Sequence, residues 1–479
     1  MTNDVHQAVP LPAQAAPHRL RGSLGVGSIV FMVVAAAAPL TVIAGTVPIG
    51  IAVGNGAGFP LTYVICSGIL MLFAVGFTTM TRHIPNAGGF YAYIGQGLGR
   101  SAGLGAAFLA LLSYTAVLVA VYGYIGAALG GLVDSHLGVS VSWWVWSGVI
   151  LVAVSLLGYR QIDLSSKVLG VLLVAEVAVV VVIDVFIVGK GGGASGLSTG
   201  LLQARDITSG APGIAIMFAL AGFLGFEATV VFRDEARDPD RTIPRATYLS
   251  LLLIGGFYAL SSWAMVSAWG DAGAVVRAAA DPGTMLAETA QVFVGKFASD
   301  LVTVLLVTSL MAAVLSFHNV TARYLFSLGN SGVLPGRCGH SHDRHGSPHI
   351  ASTIVTAVAG ALIALSALAG LDPVAEVFAW LAGIATVGVV ALMLFTCLAV
   401  VVFFRRTRAD VRPWQTLVAP LLGLVALAAC LWLAVSNLPM LVGGSETLAL
   451  VIDAILVGSV LAGPVVAYLR PSASAHTAL

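Results

Sequence analysis

The sequence predicts an all-α polytopic membrane protein whose chain crosses the bilayer as twelve helices. Its 22 basic and 21 acidic residues make up only 9% of 479 residues, against about 25% in soluble domains. Hydrophobic residues reach 58%, so the charged groups are too few to cover a soluble core. Apolar stretches recur at about 20 residues, the length that crosses about 30 Å of hydrocarbon as a helix. These features exclude a water-soluble enzyme, a disordered chain and a fibrous protein.

The apolar stretches are predicted as helices because none shows the short alternating pattern of a membrane β-barrel. The predicted spans are 24–50, 58–80, 102–132, 142–160, 164–188, 212–232, 247–269, 301–328, 350–370, 374–404, 415–436 and 447–469. The polar start lacks the apolar core and cleavage site of a signal peptide, so we expect no removable leader. The predicted divisions are a tail (1–22), a five-helix repeat (23–189), an extracellular loop (190–211), a second repeat (212–404), helices eleven and twelve (405–470) and a tail (471–479).

Basic residues in the connections predict the orientation. Eighteen of the 22 lie in alternate connections on the side of the N-terminus, and the others are Lys190, Arg205, Arg277 and Lys296. Cytoplasmic loops are enriched in Lys and Arg, so we expect both termini in the cytoplasm and the chain in the plasma membrane. The expected surroundings are the lipid bilayer, with no nucleic-acid partner, and the oligomeric state is left open.

Two predicted spans contain residues that interrupt helices. Pro39 stands in the middle of span one, followed by Gly45, and span six carries Gly222 and Gly225 just before Glu227. Unwound backbone at membrane depth is tolerated where it is packed in protein or lines a cavity. Breaks five helices apart predict two inverted five-helix repeats with a substrate site at the midplane. The alternative is an ordinary proline kink and a glycine packing face.

Several motifs in order resemble the amino acid–polyamine–organocation transporters over nearly the whole chain. They are PNAGGFYAY at 85–93, FLGFE at 223–227, the loop from Asp234 through Ile243-Pro244, and GVLP at 332–335. The resemblance implies the leucine-transporter-like fold plus two C-terminal helices, and an amino acid permease type of protein. Where many relatives carry a glycine-serine-glycine break in span one, this chain has Pro39-Leu40-Thr41, which resembles the putrescine-importer branch.

From the breaks and the resemblance we predict the substrate-binding residues. They are Ala38, Pro39, Leu40, Thr41 and Gly45 in span one, Tyr114 in span three, and Ala221, Gly222, Phe223 and Gly225 in span six. Tyr114 is expected to shape the pocket, because aromatic rings can stack on an organic cation. Tyr122 and Tyr124 are weaker candidates, and membrane-interface or packing roles are the alternative for all three tyrosines.

An acidic residue inside a span is expected to have a structural or functional role, because inserting a carboxylate at the bilayer centre costs about 2.5–3.5 kcal/mol of free energy. Glu176, in span five with no base within two turns, resembles in position a lysine that stands in for a sodium ion in some sodium-independent family members. This resemblance implies that Glu176 carries the coupling proton and links span five to the span-one break. Glu227 is predicted, by resemblance, to act near the gate. The alternatives are a protonated packing group for Glu176 and a cap of freed amides for Glu227. Asp184 and Asp453 are minor candidates for a transport role.

Two cytoplasmic loops carry conspicuous side chains. The loop 338–349 contains Cys338 and four histidines, but its spacing fits no standard zinc pattern, so no metal is predicted. The loop 233–245 is predicted to be solvated, because Pro239 and Pro244 would interrupt a continuous arginine face. The four cysteines predict no disulfide framework.

The predicted function is a secondary active transporter that imports a small amino acid by alternating access, with protons as the coupling ion and no cofactor. The alternatives are a polyamine or organic-amine carrier, and a channel or non-transporting nutrient sensor. The chain carries no nucleotide-binding, zinc or nucleophile motif, so no ATP-driven pump and no enzyme is predicted.

Overall fold

Helices make up almost all of the described backbone. The structure is a computed structural model that describes residues 24–84, 89–159, 166–330, 332–341 and 347–470. Within these ranges, nine helical segments are long and apolar enough to cross a membrane: Val26–Thr81, Arg100–Leu137, Val168–Gly189, Pro239–Trp269, Lys296–Asn330, His349–Leu368, Pro373–Thr407, Trp414–Ser436 and Glu446–Leu469. Trp143–Tyr159 and Pro212–Ala221 are shorter apolar helices.

An all-helical polytopic membrane architecture is thereby confirmed. Each predicted span coincides with apolar helix over much of its length, and the single segment Val26–Thr81 covers the first two. The count of twelve crossings and the two-repeat arrangement stay predictions.

We number the helices that the following sections use. They are α1 Val26–Ala36, α2 Pro39–Thr41, α3 Phe59–Thr81, α4 Phe90–Leu98, α5 Arg100–Leu137, α6 Trp143–Tyr159, α7 Ser166–Gly189, α8 Pro212–Ala221, α9 Ala228–Val231, α10 Pro239–Trp269, α11 Asp271–Ala280, α12 Met285–Phe293, α13 Lys296–Asn330, α14 His349–Leu368, α15 Ala379–Thr407, α16 Ala419–Ser436 and α17 Glu446–Leu469.

The helix of span one breaks immediately before Pro39. Helix α1 ends at Ala36, and Ala38 has a left-handed backbone at φ 45° and ψ 66°. Because proline disfavours a helical conformation in the residue before it, Ala38 leaves the helix and Pro39 begins the next one. From α2 the chain continues through the π-helical turn Val42–Thr46.

Span six breaks between α8 and α9. Residues 222–227 form successive turns, and Gly225 has φ 103°, a conformation that side-chain-bearing residues rarely adopt. The two paired glycines therefore mark the break that the sequence predicts, and Glu227 stands at its end as the residue before α9.

The loop predicted at 233–245 is partly helical, which corrects the sequence interpretation. Helix α10 begins at Pro239 and contains Pro244. Since Pro244 has no N–H, it leaves the carbonyl of Asp240 without its helical donor. The guanidinium of Arg82 donates to that carbonyl at 2.8 Å, so a side chain from the end of α3 compensates for the proline.

The start of the described chain is joined to the segment after span six. The N–H of Leu24 donates to the carbonyl of Glu235 at 3.0 Å, and the N–H of Arg237 donates to the carbonyl of Leu24 at 3.0 Å. This parallel bridge ties the entry of α1 to the segment that follows α9.

Some predictions lie outside the described residues. These are both tails in large part, the motif residues 85–88, and residues 342–346 of the histidine-containing loop. The four cysteines are buried and free, and the described residues contain no group of three metal-ligating side chains.

Candidate functional site

Glu176 projects from α7 to the break in span one. Its carboxyl accepts a hydrogen bond from the N–H of Leu40, in the first turn of α2. Ser309 on α13 donates to Glu176 Oε2 at 3.0 Å, and Thr41 donates to the hydroxyl of Ser309 at 3.2 Å. Only 5% of Glu176 is exposed. One buried carboxyl therefore joins three helices at the break.

Glu227 is held at the break in span six. Its Oε2 accepts from the N–H of Gly225 at 2.9 Å, and its own backbone N–H also donates to the carboxyl. Its Oε1 accepts from the hydroxyl of Tyr114 on α5 at 2.8 Å. The carboxylate thus caps amides that the break sets free, and a tyrosine from span three completes its coordination.

A small cavity of about 50 Å³ lies between the two breaks. Its walls combine small aliphatic residues with two threonines and two phenylalanines. They are Ala36, Ala37, Ala38, Thr41, Val42, Thr46, Val117, Val121, Ala221, Leu224, Ala313, Phe317, Phe378 and Ala382. The described residues of this wall come from α1, α2, α5, α8, α13, α15 and the turns beside them, and none of their side chains is charged.

A larger cavity of about 350 Å³ adjoins the small one. It lies between α1, α7 and α13, and among the described residues of its wall Glu176 is the one with an ionisable side chain. Ala36, Ala38 and Ala313 border both cavities, so three alanines separate the two spaces. A carboxyl that bridges the span-one break is therefore accessible from the larger cavity.

The helix ends around the small cavity are electrostatically alike. Both α1 and α8 bring their C-terminal residues, Ala36 and Ala221, to its wall. A helix C-terminus carries a partial negative charge from its unpaired carbonyls. The helices that follow the two breaks, α2 and α9, begin with positive ends. A glutamate carboxylate lies at each of them, that of Glu176 at α2 and that of Glu227 at α9.

Few backbone donors remain available at either break. In span one Pro39 has no N–H, the Leu40 N–H is bound to Glu176, and the Val42 N–H is bound to Ala38. In span six each backbone N–H from Gly222 to Ala228 has an acceptor within the same span. The carbonyl oxygens that accept from these amides each have a second lone pair, so the site offers acceptors rather than donors.

The predicted substrate residues separate into two groups. Ala38, Thr41 and Ala221 border the small cavity. The residues placed behind or beside its wall are Pro39, Leu40, Gly45, Tyr114, Gly222, Phe223 and Gly225. For Gly45 and Gly222 the reason is packing: a Cβ at Gly45 would lie 2.7 Å from the ring of Tyr124, and one at Gly222 would lie 3.0 Å from Val42.

The three tyrosines of span three also fall into two groups by their distance from the small cavity. The ring of Tyr114 lies 6.4 Å from that of Phe317, which borders the cavity, so Tyr114 stands one layer behind the wall. Tyr122 and Tyr124 are buried, and their hydroxyls have no hydrogen-bond partner among the described residues. These positions favour a packing role for the latter two.

The minor acidic candidates lie apart from the two breaks. Asp184 accepts from Ser261 on α10 at 2.6 Å, and Asp453 is half-buried on α17. Neither borders either cavity.

Sequence reasoning missed Ser309, the partner of Glu176 on α13. It is one of several hydroxyl-bearing residues along this helix, and nothing in its local pattern distinguishes it from packing residues. A helical projection would have helped with Ser309, because Ala312, Ala313 and Ser316 continue the same small-residue face.

Comparison with known proteins agrees with this architecture. The amino acid permease family model matches residues 24–460. The chain is 25% identical over 311 residues to the low-affinity putrescine importer PlaP of Escherichia coli K12, covering 63% of this chain and 66%, just under two thirds, of that protein. It is 26% identical over 379 residues to an uncharacterized transporter of Mycobacterium tuberculosis, covering 75% and 78% of the two chains. The resemblance to the amino acid–polyamine–organocation superfamily is confirmed, and the chain belongs to the amino acid permease family.

Proposed function

We propose that this permease is a secondary active transporter that imports a small amino-group-bearing solute by alternating access, driven by protons. The solute occupies the small cavity between the breaks, and the larger cavity is its path on one side of the membrane. The proposal includes twelve spans in two inverted repeats, with both termini cytoplasmic in the plasma membrane.

Glu176 is proposed as the coupling group. It joins α7, α2 and α13 through Leu40 and Ser309, and it borders the larger cavity, from which a proton can reach it. Protonation removes the charge that holds the Leu40 N–H, so it weakens the contact between span five and the break. A group whose proton changes an inter-helix contact couples ion binding to helix movement.

The proposed substrate class rests on one observation, the sign of the partial charges that face the small cavity. Two negative helix ends face it, Glu176 and Glu227 occupy the positive ends, and all but a few of the break amides have acceptors. Such a site favours an ammonium group and offers little to a carboxylate. We therefore propose a small organic amine as the first candidate substrate and an amino acid as the second. This reverses the order predicted from the sequence.

A small amino acid is the second candidate, and the family's name is what favours it. The relative PlaP is named a putrescine importer, which agrees with an amine as the cargo. The small cavity of about 50 Å³ limits either cargo to a short carbon chain unless the walls move.

The test compares each amino acid with the amine left by its decarboxylation. Purified protein in liposomes is offered labelled ornithine and putrescine, and labelled alanine and ethylamine, with and without an inward proton gradient. We expect saturable uptake of an amine, raised by the gradient, at least tenfold above its parent amino acid. Preference for the amino acid would support the second candidate. Uptake without saturation or counterflow would indicate a channel, and binding without uptake would indicate a sensor.

A further inference from the structure

The larger cavity has the composition of a ligand-binding site. Its wall is mostly apolar, and among its described residues Glu176 carries the one ionisable side chain. Its volume of about 350 Å³ falls within the range of about 300–1,000 Å³ found for cavities that hold small organic ligands. Such cavities combine apolar walls with a few polar groups that fix the orientation of the ligand. The cavity therefore suits a molecule with one polar end and an apolar remainder.

The carboxyl of Glu176 lies at the buried end of this cavity. Ser309 on α13 donates to it there at 3.0 Å. On α7 the lining residues extend from Glu176 back to Leu169, and on α13 they extend from Ser309 to Ser316. Each run covers about two helical turns, an axial distance of about 10 Å. The cavity thus continues for about 10 Å away from the carboxyl, between two helix faces.

The other end of the cavity opens beside Phe31 on α1. Phe31 is 41% exposed, and a Cβ built at Gly170 on α7 would lie 3.3 Å from its ring, so the two residues meet at this end. Ser316 on α13 is exposed and also lines this part of the cavity. None of the described residues of the wall at this end has a charged side chain. An apolar passage therefore leads from the opening to the carboxyl.

A carboxylate at the end of an apolar passage matches a cationic head group on an alkyl chain. Its two oxygens offer about four acceptor positions, so positions remain beside the bond from Ser309. A primary alkylamine is an ammonium ion at neutral pH, as lysine is, and its hydrogen bonds to a carboxylate are charge-assisted. A chain of about eight carbons spans the passage, because each bond of an extended chain advances about 1.2 Å.

We propose that the larger cavity binds a hydrophobic monoamine, with its ammonium group on Glu176 and its alkyl chain extended toward Phe31. A chain of this length exceeds the small cavity of about 50 Å³ behind the alanine wall, so the ligand is retained and not carried. The inference goes beyond the proposed function, because it concerns a ligand other than the solute. Its consequence for transport, that the ligand covers Glu176 and inhibits, rests on the proposed function.

Protection of introduced cysteines tests the site and the orientation of the ligand. Ala312→Cys places a thiol midway along the α13 face and Ser316→Cys places one near the opening, whereas the four native cysteines are buried. The purified full-length variants in lipid nanodiscs are labelled with methyl methanethiosulfonate in the presence of ethylamine, butylamine, hexylamine or octylamine. We expect butylamine to protect Ala312→Cys alone and octylamine to protect both thiols. From butylamine to octylamine, each methylene should raise the apparent affinity about threefold to fourfold.

The carboxyl is tested in the Ala312→Cys background. Glu176→Gln should weaken protection by octylamine at least tenfold. Asp184→Asn is the matched control, because it makes the same change on the same helix at a residue that borders neither cavity, and it should leave protection unchanged. 1-Octanol, which has the chain without the charge, should protect at least tenfold less well than octylamine.

Several results would overturn the proposal. They are equal protection by octanol and octylamine, full protection in Glu176→Gln, no protection of either thiol, and a thiol at Ser316 that never reacts or that short amines protect before the thiol at Ala312.

Solute exchange separates this proposal from the proposed function. Octylamine should inhibit exchange of labelled for unlabelled solute, which needs no proton gradient, at the concentrations that protect the thiols. Inhibition without protection would overturn the monoamine site. If the wild-type protein carried no solute, the proposed function would fail, while the labelling result would still decide on the site.

Discussion

The two glutamates at the helix breaks differ in how their partners are supplied. Glu176 reaches the span-one break from α7, takes donors from α2 and α13, and borders the larger cavity. Glu227 belongs to the break that it stabilises, takes two of its three donors from its own turn and the third from Tyr114 on α5, and borders neither cavity. A side chain between helices loses contacts when they move, whereas a capping side chain moves with its own turn. The comparison supports the coupling role that we propose for Glu176, and it favours a holding role for Glu227.

The largest expected effect is that of Glu176→Gln on proton-driven accumulation. Glutamine retains an oxygen for the Leu40 N–H and a similar volume, but it cannot bind and release a proton. In liposomes with an inward proton gradient, we expect accumulation to fall more than tenfold while exchange of labelled for unlabelled solute continues.

Asp453→Asn is the matched control for that experiment. It removes a half-buried carboxyl from α17, away from both breaks, and should leave accumulation unchanged. Full gradient-driven accumulation by Glu176→Gln would remove the coupling role, and equal losses in both variants would point to a general effect of losing a carboxyl in the membrane.

Glu227→Gln should affect stability more than Glu176→Gln does. Three donors converge on the Glu227 carboxylate, and an amide has one acceptor oxygen and a donor group that would face them. Loss of a cap and of a charged hydrogen bond costs about 1–2 kcal/mol. Thermal unfolding in detergent should show the lower midpoint for Glu227→Gln, and the reverse order would contradict the distinction between the two sites.

A substitution in the wall between the two cavities should have a smaller effect on uptake. Ala313 borders both cavities, whereas its neighbour Ala312 borders only the larger one. Two added methyl groups at Ala313 narrow the passage beside Glu176, so Ala313→Val should lower uptake about threefold to tenfold, most for the longest amine. Ala312→Val, the same change one residue away, should lower it less. Equal effects on solutes of every length would show that the wall is not the constriction.

The sequence predicted the positions of the breaks better than their surroundings. Pro39 and the pair Gly222 and Gly225 act through their own backbone, so their local effect can be read from residue type. The contact of Glu176 with span one was also predicted, from the resemblance of its position to that of a lysine in some family members. The contact with Ser309 was not predicted, since it depends on which helices face each other. Pro244 was misjudged because Arg82, distant in sequence, satisfies the carbonyl that the proline leaves free.

The smallest expected effect comes from a carboxyl outside the bilayer, Asp410, between α15 and α16. Hydrogen bonds from Arg412 lower the pKa of Asp410 from 3.8 to about 2. Because the folded-state pKa is depressed, the pair stabilises the fold above the ordinary value and loses its effect as pH falls toward 2. Asp410→Asn should lower the unfolding midpoint by only about 1 °C at pH 7, since Arg412 is half exposed and the pair is screened. The difference from wild type should be constant from pH 8 to pH 5 and shrink below pH 4. A difference that instead changed between pH 5 and pH 8 would mean that this pair is linked to groups titrating there.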